Sequence, residues 1–170
     1  MSAATPAAWL TMHRHLLPPG AALDVACGRG RHALWLADLG WRVTAIDRDL
    51  DALRELDADA RRRGLSVQVE SIDLEAEGTA FPSQAFDVIV VVHYLHRPLF
   101  PQIRAALRPG GVLVYETFTT AQAARGKPTN PDFLLRPGEL RELVGLFEVL
   151  ESREGEFDGR DVASVVARSV

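Results

Sequence analysis

The sequence predicts an α/β fold in which a mainly parallel, doubly wound sheet lies between two layers of helices. Three observations carry that prediction. Apolar runs that end in an acid, at Asp24, Asp47 and Asp73, recur at roughly the spacing of one strand and helix unit. The run Val88 to Val92 is apolar throughout, as a strand buried on both faces requires. Between the first two acids stands Gly28-x-Gly30 followed by an amphipathic stretch, the form taken by a strand that turns into a helix over a ligand-binding loop.

Taken in order, Thr5-Pro6 reads as an N-cap with proline at the first helical position. It opens a helix over 5–17 that Pro18-Pro19-Gly20 stops; Trp9, His13 and Leu16 share one face, and the helix is placed as a lid over the site. Strands are expected at Ala22–Ala26, Arg42–Ile46, Ser66–Glu70, Phe86–Val92, Val112–Glu116, Phe147–Ser152 and Val162–Arg168. Helices are expected at Arg31–Leu39, Leu50–Arg63, Leu99–Leu107 and Pro137–Leu143. Glu154 to Gly159 is short enough for a hairpin, so the seven-stranded sheet should end antiparallel. The whole is a three-layer, Rossmann-like arrangement. Phe118 to Arg136 lacks periodicity and follows the fifth strand at the ligand-binding edge, so it is read as a substrate lid or wall. Its Arg125, Lys127 and Arg136 have two readings, as cations facing an anionic acceptor or as solvated loop charges.

A chain of 170 residues, 47% apolar and 25% charged, suits one core and a single domain over 1–170. A net charge of −4 argues against an obligatory nucleic-acid partner, and Arg61-Arg62-Arg63 is accounted for as the basic end of a helix before Gly64. Cys27 is the only cysteine, so no internal disulfide can form. No run approaches the roughly 18 apolar residues of a membrane span, and a secretory leader is not evident. The expectation is a cytoplasmic protein that acts without a membrane.

The chemistry concentrates between Leu23 and Asp47. Gly28 and Gly30 let a ligand approach bare backbone, and the free N–H groups that open the next helix face it. Asp47, at the carboxyl end of the second strand, is placed to accept from both hydroxyls of a ribose. Gly28-x-Gly30-x-x-Ala33 with Asp47 also satisfies a dinucleotide fingerprint. Asp24 decides against a pyrophosphate, because an acid inside the first strand repels phosphate and suits an ammonium and a sulfonium. Asp73 adds a third carboxylate to the same edge, and the length leaves no room for a dehydrogenase's separate substrate domain.

The strings LDVACGRGRHALWLA, VTAIDRD, SIDLE, FDVIVVVHYLHRP and LRPGGVLVYET resemble, in order and spacing, the motifs of class I S-adenosylmethionine-dependent methyltransferases. Within that class the chain resembles the small single-domain group that includes tellurite-resistance proteins. The resemblance implies that Asp24, Cys27, Gly28 and Gly30 surround the methionine part of S-adenosylmethionine. It implies that Asp47 holds the ribose with Arg48 beside it, that Asp73 meets the adenine amino group with Leu74 against the base, and that His93 lies near the methyl. Ala26-Cys27 stands where small pairs such as Gly-Cys are common, and His32 replaces other polar residues.

The reaction implied is in-line methyl transfer to a small-molecule acceptor, a thiol, oxyanion, hydroxyl or amine, for which alignment and exclusion of water matter most. His93 and His96 are candidate bases where the acceptor carries a proton, and Tyr94, His96 and Tyr115 are candidate acceptor contacts. His93-x-x-His96 lacks neighbouring ligands at metal spacing, so no metal is expected. Cys27 is read as a small residue in a tight turn rather than a nucleophile. Two other readings stay open from sequence: a nicotinamide-linked oxidoreductase, and a non-catalytic S-adenosylmethionine-binding domain.

Overall fold

The computed structural model describes residues 4–170. Seven strands form one sheet in the order β3-β2-β1-β4-β5-β7-β6, comprising β1 (Ala21–Val25), β2 (Arg42–Asp47), β3 (Val67–Ser71), β4 (Phe86–Val92), β5 (Leu107–Phe118), β6 (Glu148–Phe157) and β7 (Arg160–Arg168). The first five pair in parallel, while β7 runs antiparallel to both β5 and β6. This is the expected three-layer α/β arrangement with an antiparallel end.

Alternation along the strands divides the core. Ala22, Val43, Ala45, Val88 and Val90 pack with α1 (Ala8–Met12), α2 (Arg31–Asp38) and α3 (Leu50–Arg63) on one face. Leu23, Val25, Ile89, Val91 and Leu113 pack with α4 (Phe100–Ala106) and α5 (Glu139–Leu143) on the other. Asp49 caps α3, accepting from the N–H groups of Asp51 and Ala52 at 3.1 Å, and Gly64 ends it in the left-handed conformation.

Several elements differ from expectation. The helix over 5–17 is broken: α1 covers only Ala8–Met12, a 3-10 turn follows at Arg14–Leu16, and Ala7 rather than Thr5 stands at the cap. The reason is local. His13 Nδ1 lies 2.8 Å from the Trp9 carbonyl, the acceptor that the fourth residue along an α-helix would use through its backbone, and the His13 N–H turns to Leu10 O instead. The Leu99–Leu107 helix divides into a 3-10 turn (Arg97–Leu99) and α4, and Gly138 delays α5 to Glu139. β5 is 12 residues long because it begins at Leu107, before a bulge that carries Arg108 to Gly111 past β4. The segment expected to link β6 and β7 belongs mostly to β6. Only Asp158-Gly159 turns, with φ of 53° and 75°, the pair of positive angles that a type I′ hairpin needs.

No helix among the described residues is long and apolar enough to cross a membrane.

Candidate functional site

Strand order reverses between β1 and β4, which opens a crevice at their carboxyl ends. A cavity of about 770 Å³ occupies it, with Ala26 after β1, Asp47 at the end of β2, Asp73 after β3 and His93 after β4 along its wall. The sheet therefore gathers onto one rim two of the three acids that the sequence spaces apart.

Asp47 has two tasks within the chain. Its Oδ2 accepts from the Gly28 N–H at 2.8 Å and its Oδ1 from the Asp49 N–H at 3.0 Å, so it ties the glycine turn to the end of β2. Each oxygen can accept a further hydrogen bond, and Asp47 lines the cavity. Arg48 follows it on the wall. Asp73 closes a turn by accepting from Glu75 N at 3.0 Å, and buried Leu74 beside it gives the cavity an apolar surface.

Asp24 is placed differently. It is 1% exposed, points to the α2 side of the sheet, and its Oδ2 accepts from the Ala33 N–H at 3.0 Å. It caps α2 from below rather than lining the cavity, and burial raises its pKa to about 7. Cys27 is likewise buried, its thiol donating to the Gly28 carbonyl at 3.4 Å, and desolvation followed by Asp24 and Asp47 keeps it protonated. A side chain on Gly28 would meet nothing within 4 Å, whereas one on Gly30 would lie 2.4 Å from Leu56 Cδ1. Gly28 leaves open space and Gly30 makes room for α3.

His93 follows β4 with φ +58°, a conformation that side chains rarely adopt, held by its N–H on the Glu116 carbonyl at 2.8 Å. Its ring stacks on Phe118 with centroids 4.5 Å apart. Burial first, then Arg31 and Arg160, hold its pKa down at about 4, so the imidazole is neutral, accepts hydrogen bonds and is a weak base. Tyr94 also lines the cavity, with its phenol pushed up to about 12 by burial. His96 does not reach the cavity wall; it precedes the Arg97 turn and its carbonyl accepts from Leu99 N. Tyr115 is 1% exposed and donates its hydroxyl to the Tyr94 carbonyl at 2.6 Å, which removes it from contact with an acceptor.

The 118–136 segment supplies a wall, through Phe118, Lys127, Pro128, Asn130 and Phe133. Of its three cations only Lys127 faces the cavity; Arg125 pairs with Glu156 and Asp161, and Arg136 with Glu139. Sequence reasoning missed Phe133 and Asn130, which carry no periodic signal.

Residues 22–111 match the methyltransferase domain family, a span of more than half the chain. The chain belongs to the class I S-adenosylmethionine-dependent methyltransferases. It is 37% identical over 100 residues to a ribosomal protein L11 methyltransferase of Thermus thermophilus, covering 58% of this chain and 38% of that protein. It is 34% identical over 114 residues to a ubiquinone biosynthesis O-methyltransferase of Burkholderia thailandensis, covering 64% and 48%. The chain thus spans less than half the length of these two relatives. TehB from Haemophilus influenzae shares the fold, with a TM-score of 0.83 at 21% identity over 99% of this chain and 64% of that one. The methyltransferase cavity fits S-adenosylmethionine, the family's methyl donor: a carboxylate stands at the end of β2, an acid beside an apolar wall after β3, and space is open over Gly28.

Proposed function

We propose that this protein transfers the methyl group of S-adenosylmethionine to a small-molecule acceptor bound beside His93. The observation that carries the reading is the convergence of Asp47, Asp73 and His93 from three strand ends on one cavity. In this reading Asp47 binds and orients the ribose, Arg48 flanks it, Asp73 and Leu74 select the adenine, and the turn from Cys27 to Gly30 lies along the methionine part. The donor, when bound, supplies a methyl group on a positively charged sulfur, which keeps the electron pair of the broken bond.

The chain's own contribution is alignment and exclusion of water. Neutral His93 accepts a hydrogen bond from a hydroxyl or amine acceptor and so orients it, and for a thiolate or oxyanion it only packs. Tyr94, protonated, is a hydrogen-bond donor to the acceptor; His96 is assigned no contact with it. The segment 118–136 walls the acceptor from solvent, and the N-terminal residues 5–17 serve as a lid from the other side. A cytoplasmic location accords with this chemistry.

Asp47→Ala tests the reading. Calorimetric affinity for S-adenosylmethionine should fall at least tenfold, by about 1.4 kcal/mol or more. An unchanged affinity, or a larger thermal stabilisation of the native protein by NADH than by S-adenosylmethionine, would overturn it.

A further inference from the structure

His93 is shared by a second, smaller pocket of about 50 Å³ on its other side, lined also by Ala7, Arg31, Glu116, Arg153 and Arg160. Three guanidinium groups face two carboxylates there, those of Glu116 and Asp158. Glu116 is already engaged: it is 7% exposed, accepts from the Ser164 hydroxyl, and lies 3.4 Å from Arg153 Nη2. Arg153 is held between rings, 4.9 Å from the centroid of Trp9 and 3.8 Å from that of Phe157, yet its buried Nε has no hydrogen-bond partner. Among the described residues neither Arg31 nor Arg160 pairs with a carboxylate. Arg31 donates to Thr5 O at 3.0 Å, which leaves most of its fork free.

Burial, and then repulsion from Arg160, lower the Arg31 pKa, and both cations depress His93. Three guanidinium groups against two carboxylates, one of which is already shared by Arg153 and Ser164, leave net positive charge beside a buried donor with no partner, a setting that favours an anion. Its size admits one small anionic group and no more. On the far side of the His93–Phe118 stack the larger cavity has apolar wall at Phe118, Pro128 and Phe133, enough for an organic body that a bare inorganic anion would leave unfilled.

We propose that the pocket between Arg31, Arg153 and Arg160 binds a carboxylate carried by the methyl acceptor, so that the substrate is an organic acid whose nucleophilic atom reaches the methyl past His93. This inference rests on the methyl-transfer reading above. It assigns a specificity role to Arg160, which stands beside the Asp158-Gly159 turn with no local motif to mark it. The cofactor's own amino-acid end is the competing occupant, since its carboxylate could pair with Arg31 while its ammonium points out of the pocket, and the cofactor-affinity arm of the test separates the two.

The test uses the protein saturated with S-adenosylhomocysteine and follows its melting temperature in benzoate or propanoate, in the isosteric amides benzamide and propanamide, and in sulfate. At least one carboxylate should raise the melting temperature by about 3 °C where its amide does not. Arg160→Gln, and separately Arg31→Gln, should abolish that rise, while calorimetric affinity for S-adenosylhomocysteine in Arg160→Gln stays within twofold of the native value. Stabilisation by amides as well, by sulfate alone, or by nothing overturns the proposal. A tenfold loss of S-adenosylhomocysteine affinity in Arg160→Gln also overturns it, by assigning the pocket to the cofactor. Failure of the native protein to bind S-adenosylhomocysteine strikes the methyl-transfer reading instead, and the carboxylate and amide series, run without it, still decides the pocket's chemistry.

Discussion

The two glycines of the turn between β1 and α2 are equivalent in a motif and unequal in the molecule. Gly30, with φ +82°, has Leu56 of α3 pressed where its side chain would be, and Leu56 is itself 1% exposed and unable to swing out. Gly30→Ala therefore combines backbone strain with overpacking and should cost about 3 kcal/mol in urea unfolding. Gly28→Ala, at φ +55° with open space around it, should cost about 1 kcal/mol in the same measurement and show its larger effect in cofactor affinity. Equal losses of stability would contradict this division. The same contrast limits what a motif reveals about acids. Asp47, the last residue of its strand, and Asp73, just beyond its own, reach the cavity as those positions imply, but Asp24 sits one residue inside the end of β1, where alternation turns it toward α2 and the Ala33 N–H. Sequence spacing locates a strand end to within a residue or two, and one residue reverses the face.

At the level of elements, one arginine fastens the acceptor wall. Arg97, in the turn before α4, donates from Nε and Nη2 to both oxygens of Glu139 at 2.5 and 2.9 Å, and reaches the carbonyls of Asp132 and Leu134 at 3.2 and 3.1 Å. Glu139 is 2% exposed, and Arg97 first among its partners lowers its pKa to about 2. Arg97→Ala leaves that carboxylate to Arg136 alone and should cost about 2 kcal/mol, with amide exchange accelerating at Asp132 to Leu134 before it does in β4. Uniform acceleration would assign Arg97 to global stability instead. Nothing local announces such a link, since Arg97 and Glu139 stand 42 positions apart. Elements with strong period or caps were legible: α2, α3, β2 and β4 begin where the sequence places them. Those decided by tertiary pairing were not. β5 runs longer than its apolar stretch because Leu107 already pairs with β4 before the bulge and β7 extends the far end to Phe118, β6 is long because β7 pairs along it, and α1 is short because the His13 ring takes a carbonyl that a helix would need.

For the molecule as a whole, two buried groups and the half-buried His93 set opposing pH dependences. His32 and His93 have pKa values lowered from 6.5 to about 3 and about 4, mainly by burial, so the unfolded chain takes up their protons first. Stability therefore falls as pH drops below 6.5, by about 1.4 kcal/mol per pH unit for each group. Asp24, raised from 3.8 to about 7, acts oppositely: the folded state holds its proton, and that contribution is lost as pH rises through about 7. Two slopes against one place the maximum in urea midpoints near pH 6.5, with a shallow acid limb. Asp24→Asn keeps an acceptor for Ala33 and removes the opposing slope, so the acid limb should become about twice as steep. A flat profile between pH 4 and 7 would contradict the assignment. At this scale the cavity edge was legible, because the reversal of strand order follows from the motif order. The pocket beyond His93 was not, since it joins residues from Ala7 to Val162 that only the antiparallel end of the sheet brings together. The fold also carries its own gauge of motion. The lone thiol at Cys27, protonated and sealed beneath the glycine turn, should resist maleimide until that turn lifts, so its labelling rate in an unmodified sample clocks the lifting, and a nucleoside ligand seated above should stop the clock.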